Sequence, residues 1–193
     1  MSLKAFFQTV VGILDRADVP YMLTGSLAAA YYAVPRATQD LDVVIEAERS
    51  GIERVVHGLR IAGLYVEQEA ALEAQKVQGQ FNAIDPSSGW KVDLIVRKDR
   101  EYSQVEFGRR RQVRLLDVEV GIASLEDVLI SKLEWSEIVG SALQRADVLQ
   151  LLQRRWGEID HSYVETWVGT LGLEDAWDRV CREAAPDKDG GAR

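Results

Sequence analysis

Two aspartates stand two residues apart in the segment Asp40-Leu41-Asp42-Val43-Val44-Ile45-Glu46. Leu41, Val43 and Ile45 alternate with them, so a strand here buries the apolar set and turns both carboxylates to the opposite face. Residues two apart on a strand are separated by about 6.6 Å at the backbone, and flexible carboxylate heads can converge from that distance on a hard cation. Mg²⁺ is the natural guest. Upstream, Gly25 permits a tight turn with close backbone approach, Ser26 can cap a helix, and the amides of that helix start attract phosphate. The helix runs from Leu27 to about Ala33 and stops before Pro35, which pushes its predecessor out of helical geometry. A phosphate-holding turn thus lies next to a metal-holding strand, and a nucleoside triphosphate would satisfy both.

A third acid lies in Trp90-Lys91-Val92-Asp93-Leu94-Ile95-Val96. As a strand, this segment places Trp90, Val92, Leu94 and Val96 on one face and Lys91, Asp93 and Ile95 on the other. An unpaired carboxylate among such neighbours costs on the order of several kcal/mol to bury. Asp93 must therefore meet a cation or a hydrogen-bond donor, as a metal ligand or as a satisfied structural acid.

These residues need a scaffold. Ser2 to Asp15 sets Phe6, Val10, Ile13 and Leu14 at helical spacing, Asp18-Val19-Pro20 turns the chain, and Tyr21 to Leu23 is a short strand leading to Gly25. After the Asp40 to Glu46 strand comes an amphipathic helix, Arg49 to Ala62, with Gly63 as its cap. Ala70 to Gln75 is helical or irregular, and Val77 to Ile84 alternates as a strand. Asp85-Pro86-Ser87-Ser88-Gly89 then turns the chain into Trp90 to Val96. Gln112 to Ile122 supplies an edge strand, with Gly108 and the Arg109, Arg110, Arg111 triplet in the connection before it. Strand, crossover helix and strand in succession predict α/β construction. From Ser124 the pattern is helical: Leu125 to Val139, Ser141 to Trp156, Ser162 to Leu171 and Leu173 to Ala184, punctuated by Gly140, Gly157 and Gly172. Trp135, Trp156, Trp167 and Trp177 suggest large aromatic anchors in a helical core or at an interface, and the core is the favoured expectation. Pro186 to Arg193 is polar and expected to be disordered.

A chain of 193 residues, 47% hydrophobic and 28% charged, can bury a real core. No apolar run reaches the roughly 18 residues of a membrane span, and no cleavage pattern follows Phe6 to Leu14. The expectation is a cytoplasmic protein without a membrane partner. The single cysteine, Cys181, excludes an internal disulfide and a cysteine-based metal cluster, and reads as a packing residue. His57 and His161 have no partner at ligand spacing. Net charge is −8, against a general nucleic-acid coat. Between Arg97 and Arg114, however, seven basic residues face three acidic ones, as a solvated surface or as a phosphate or RNA contact. P-loop, HExxH and GxSxG motifs are absent.

Gly25-Ser26 followed, after a helix, by Asp40-Leu41-Asp42 resembles the signature of the nucleotidyltransferase-fold proteins related to DNA polymerase beta. The spacing and the Arg36-Ala37-Thr38-Gln39 lead-in are similar to the abortive-infection toxin nucleotidyltransferases and their uncharacterised relatives. Asp93 is placed where that family expects a third aspartate. Ser131-Lys132-Leu133-Glu134 and Gln144-Arg145-Ala146-Asp147 loosely resemble the later lysine and aspartate motifs of the same relatives, in which the lysine approaches the nucleotide. Asp147 reads equally as the cap of a turn.

The resemblance implies an α/β (α+β) nucleotidyltransferase fold, a mixed sheet flanked by helices, over residues 1–122. A helical domain over 123–185 and a tail over 186–193 complete the chain. It further implies transfer of a nucleoside monophosphate from an NTP to an acceptor hydroxyl, on an RNA end or a small molecule. Asp40, Asp42 and Asp93 would hold one or two Mg²⁺ ions, and Asp93 would take the acceptor proton. Gly25 and Ser26 would cradle the β and γ phosphates. Arg36 and Thr38 would touch phosphate or orient Asp40, and Lys132 would reach the nucleotide. A toxin role with an antitoxin partner is part of the likeness. The alternative is an inactive NTP-binding or protein-interaction module of the same fold.

Overall fold

The computed structural model describes residues 1–33 and 40–184. Arg36, Thr38 and the expected tail lie outside them. The chain divides into two compact units, one of Met1–Ala28 with Arg36–Ser124 and one of Ala29–Pro35 with Leu125–Arg193.

The first unit is built on a mixed sheet. Its strands are β1 (Tyr21–Leu23), β2 (Asp40–Ile45), β3 (Tyr65–Val66), β4 (Gln80–Ile84), β5 (Lys91–Val96), β6 (Arg111–Leu115) and β7 (Val118–Ile122). They lie in the order β3-β4-β5-β2-β1-β7-β6. β2 runs parallel to β5 and antiparallel to β1, and β1 runs parallel to β7. The alternation of β2 is realised as expected: Leu41, Val43 and Ile45 are buried while Asp40 is exposed and Asp42 half-buried. With Val92 and Leu94 of β5 they form an apolar sheet core, each such side chain contributing about 1.5–3 kcal/mol of burial.

Helix α1 (Leu3–Arg16) begins at Ser2, whose hydroxyl accepts from the Ala5 amide, and buries Phe6, Phe7, Val10 and Leu14. α2 (Gly25–Tyr32) follows β1, and α3 (Arg49–Ile61) buries Ile52, Val55, Val56 and Leu59. The two-residue strand β3 was not expected, and three longer segments also differ from the sequence expectation. α4 (Gln68–Val77) takes the start of the expected Val77–Ile84 strand. It ends only where Gln78 turns left-handed, at φ 52°. A helix α5 (Glu101–Gly108) occupies the connection after β5. The expected single edge strand over 112–122 is a hairpin, β6 and β7, turned by Leu116 and Asp117 at φ 48° and 68°. Two consecutive positive φ values match the right-handed twist of a two-residue hairpin, and neither residue is a glycine to advertise it.

The second unit packs α6 (Leu125–Val139), α7 (Ala142–Arg155), α8 (His161–Leu171) and α9 (Glu174–Ala184) on one another. Ser141 caps α7, Asp160 caps α8, and Gly172 closes α8 in the left-handed conformation. Trp167 and Trp177 are buried as expected, but Trp135 and Trp156 are exposed, a correction to the core reading. The Trp156 and His161 rings meet at 4.4 Å between centroids, tilted by 50°. Burial first, then Asp178 and Glu165, pushes the Cys181 thiol up to about 11, so it stays protonated and unreactive at neutral pH. Among the described residues no helix is long and apolar enough to cross a membrane.

Candidate active site

β2 and β5 are neighbours in a parallel register that pairs Asp42 with Asp93 and Asp40 with Lys91. Paired residues on adjacent strands point to the same face about 4.8 Å apart, so the three aspartates and Lys91 share one face of the sheet. β4 continues the row, with Asn82 opposite Asp93. Strands about 50 residues apart in the chain thus bring Asp93 beside the pair that local alternation had already oriented.

Gly25 is where helix α2 meets this row. Its φ is +61°, and a β-carbon built on it would stand 2.0 Å from Asp42 Oδ2. Both the backbone conformation and the space demand glycine. Its missing side chain lets the start of α2 ride directly against the Asp42 carboxylate, and the Ser26 amide donates to Asp42 Oδ2 at 3.3 Å. The Thr24 amide donates to the Asp42 carbonyl at 3.0 Å. The positive end of the helix therefore faces a carboxylate. Ser26 lies inside the first turn, after a helix that already begins at Gly25, so it is not the cap residue.

Asp93 has the partner its surroundings require. Lys91 Nζ lies 2.9 Å from Asp93 Oδ2, with the aspartate side chain 12% exposed, and 3.4 Å from Asp40 Oδ1, with that side chain 50% exposed. The hydrogen bond to Asp93, followed by the charges of Asp93 and Asp40, raises the lysine pKa against the opposing effect of burial. Among the described residues no three acidic, histidine or cysteine side chains are gathered closely enough to hold a metal ion. The aspartates are aligned in a row, with an ammonium bridging two of them.

Lys132 is in the helical unit. Its ammonium donates to Asp147 Oδ2 at 2.8 Å and to Gln144 Oε1 at 2.7 Å, and the Lys132 and Asp147 side chains are 4% and 7% exposed. Asp147 sits within α7 and joins α6 to α7; it caps no turn. Asp127, deeper still, accepts from the Tyr163 hydroxyl at 2.6 Å.

Lys91 and Asn82 are the members of the row that sequence reasoning left out of the site. The signal for Lys91 was present: it precedes Asp93 by two and so shares its face of the strand. Asn82 could be placed only once the register of β4 was known.

No protein-family model and no curated protein sequence matches the chain. Solved structures do. The chain is similar to the solution structure of the antibiotic-resistance factor ANT(2″)-Ia, with a TM-score of 0.63 and 14% identity over 94% of this chain and 97% of that one. It is similar to the crystal structure of an antigenic nucleotidyltransferase-like protein from Paracoccidioides brasiliensis, with a TM-score of 0.52 and 17% identity over 78% and 75% of the two chains. The lincomycin-bound lincosamide antibiotic adenylyltransferase LnuA gives a TM-score of 0.51 and 12% identity over 78% of this chain and 96% of that one. With Gly25, Asp40, Asp42 and Asp93 set around one sheet face, the chain has the nucleotidyltransferase fold.

Proposed function

We propose that the protein is an Mg²⁺-dependent nucleotidyltransferase that moves a nucleoside monophosphate from an NTP to an acceptor hydroxyl and releases pyrophosphate. The observation that carries this reading is the pairing of Asp42 with Asp93 across β2 and β5, beside the helix start at Gly25. The donor set suits a hard cation, since every candidate ligand is a carboxylate oxygen. Mg²⁺ is usually held by one or two carboxylates together with substrate phosphates, so a row of aspartates is sufficient before nucleotide arrives. When bound, one or two such ions supply charge neutralisation at the attacking and leaving oxygens.

The chain's own residues divide the remaining work. Asp40 and Asp42 hold the metal side of the triphosphate. Asp93, on the neighbouring strand, serves the acceptor side and takes the hydroxyl proton on a carboxylate oxygen. Gly25 gives the triphosphate the same close backbone approach that it gives Asp42, and the Ser26 amide and hydroxyl lie at the turn where the β and γ phosphates would rest. Arg36, Thr38 and Lys132 are the further nucleotide contacts that the resemblance assigns. For Lys132 that role requires release from Asp147 and Gln144. A supply of NTP makes the cytoplasm the proposed compartment.

The acceptor reading we favour is the hydroxyl of a small molecule. Two of the similar structures are an antibiotic-resistance factor and an antibiotic adenylyltransferase, and a net charge of −8 disfavours a polyanionic acceptor. One observation favours an RNA end instead: Arg111 and Arg114 are exposed on the edge strand β6. That reading carries the toxin role and the antitoxin partner with it.

The test incubates purified protein with each labelled NTP and Mg²⁺, in parallel with an aminoglycoside and lincosamide panel and with total RNA, beside an Asp42→Asn control. Label on a small molecule, absent from the control, is the expected result. Label on RNA moves the acceptor to the second reading. Mg²⁺-dependent nucleotide binding without pyrophosphate release overturns the enzyme assignment in favour of a binding or protein-interaction module.

A further inference from the structure

We propose that Lys91 is a counter-ion built into the aspartate row, one that keeps a bare divalent cation out until a nucleotide accompanies it. The inference rests on the metal-dependent reading above. Lys91 is half-buried, its side chain 31% exposed, and its ammonium holds Asp93 Oδ2 at 2.9 Å and Asp40 Oδ1 at 3.4 Å. It reaches both because it is paired in register with Asp40 and lies two residues from Asp93 on the same face of β5. Two of the three proposed metal ligands are therefore already engaged by a cation belonging to the chain.

Three carboxylates on adjacent positions of one sheet face repel one another, and the Lys91 ammonium relieves part of that repulsion. A bare divalent ion approaching the same oxygens meets a like charge and must break both lysine contacts. The displaced ammonium is then left without an acceptor. A divalent ion arriving with a triphosphate changes this balance, because phosphate oxygens accept charge-assisted hydrogen bonds from an ammonium. Lys91 exchanges carboxylates for phosphate at no loss of partners, and the metal takes the carboxylates. The flexible four-carbon stem and rotatable donors of lysine suit such an exchange, whereas the planar fork of arginine grips carboxylates in a fixed bidentate geometry.

Mn²⁺ is the probe, its free concentration read by electron paramagnetic resonance, with and without a non-hydrolysable ATP analogue. Wild type, Lys91→Gln and Lys91→Arg are compared, with circular dichroism to verify folding. Lys91→Gln is expected to bind bare Mn²⁺ about tenfold more tightly than wild type, the scale of removing one partly exposed like charge. With the analogue present the difference shrinks or reverses. Lys91→Arg is expected to exclude bare Mn²⁺ at least as well as wild type. Bare Mn²⁺ binding that is unchanged or weaker in a folded Lys91→Gln protein overturns the inference alone, provided wild type takes up Mn²⁺ with the analogue. Wild type that takes up no Mn²⁺ even then overturns the metal-dependent reading and this inference together. Should Lys91→Gln not fold, tighter bare Mn²⁺ binding by Lys91→Arg overturns the inference.

Discussion

In the sheet unit Lys91 meets Asp93 at 2.9 Å with the two side chains 31% and 12% exposed. In the helical unit Lys132 meets Asp147 at 2.8 Å with 4% and 7% exposed. The distances are nearly equal and the chemistry is the same, so the difference lies in access to water and in what else the lysine touches. Lys91 bridges two carboxylates, of which Asp40 is 50% exposed. Lys132 is closed in by Asp147 and Gln144 between α6 and α7. Removing one partner there strands a charge in a medium that solvates it poorly. The first pair has the exposure to exchange partners, the second would have to leave a closed environment to do so, and burial separates them more sharply than sequence could.

The largest expected effect breaks the comparison at its open end. Asp42→Asn should lower nucleotidyl transfer by about 10³-fold, the scale of losing a metal's charge stabilisation. Its melting temperature should stay within about 2 °C of wild type, because a half-exposed carboxylate adds little to stability. A large drop in melting temperature would show that the aspartate row is structural and that the two units do not differ as described.

The closed end should respond in the opposite way. Lys132→Met or Asp147→Asn is expected to cost about 3–5 kcal/mol in urea denaturation, and a Lys132→Met/Asp147→Leu protein should recover most of it. If Lys132→Met instead folds normally and raises the KM for NTP, the lysine leaves its partner to serve the nucleotide, and the contrast with Lys91 dissolves.

Gly25→Ala sharpens the contrast between positioning and packing. The added methyl strains a φ of +61° and collides with Asp42, so a loss of about 1–3 kcal/mol is expected. Transfer activity should fall further than the unfolded fraction explains, because the collision displaces a proposed metal ligand.

The smallest effect concerns a carboxylate with neither role. Asp85 accepts from the Ser87 amide and hydroxyl and from the Ser88 hydroxyl. The Ser88 and then the Ser87 hydrogen bonds pull its pKa down to about 2. Its stabilisation is therefore complete above the ordinary carboxylate pKa near 4 and is lost as pH falls through about 2. Melting curves of wild type and Asp85→Asn should differ modestly at pH 6 and converge only below about pH 2.

Much of this was legible from local pattern. Alternation at Leu41, Val43 and Ile45 oriented Asp40 and Asp42 correctly, and helical spacing found α1 and α3 to within a residue or two. The hairpin of β6 and β7 was not legible, because Leu116 is no turn residue and Asp117 without a glycine after it is a weak signal. Trp135 and Trp156 were misread for a related reason: aromatic size says that a side chain can fill a core, and only the packing of α6 to α9 says whether a core is there.

The division has a physical origin. Strand alternation, helical period and the demand of a positive φ are set within a few residues, so a single sequence displays them. That two aspartates face one way from β2, and that Asp93 needs a partner, follow from such local rules. Register is set by hydrogen bonds between segments tens of residues apart, and a slip of one residue would turn Asp93 to the other face. The pairing of Asp42 with Asp93, the bridge from Lys91 to Asp40, the fit of Gly25 under the Asp42 carboxylate and the enclosure of Lys132 by Asp147 all depend on where distant segments come to rest. Those contacts decide which partner each of these lysine and aspartate residues meets.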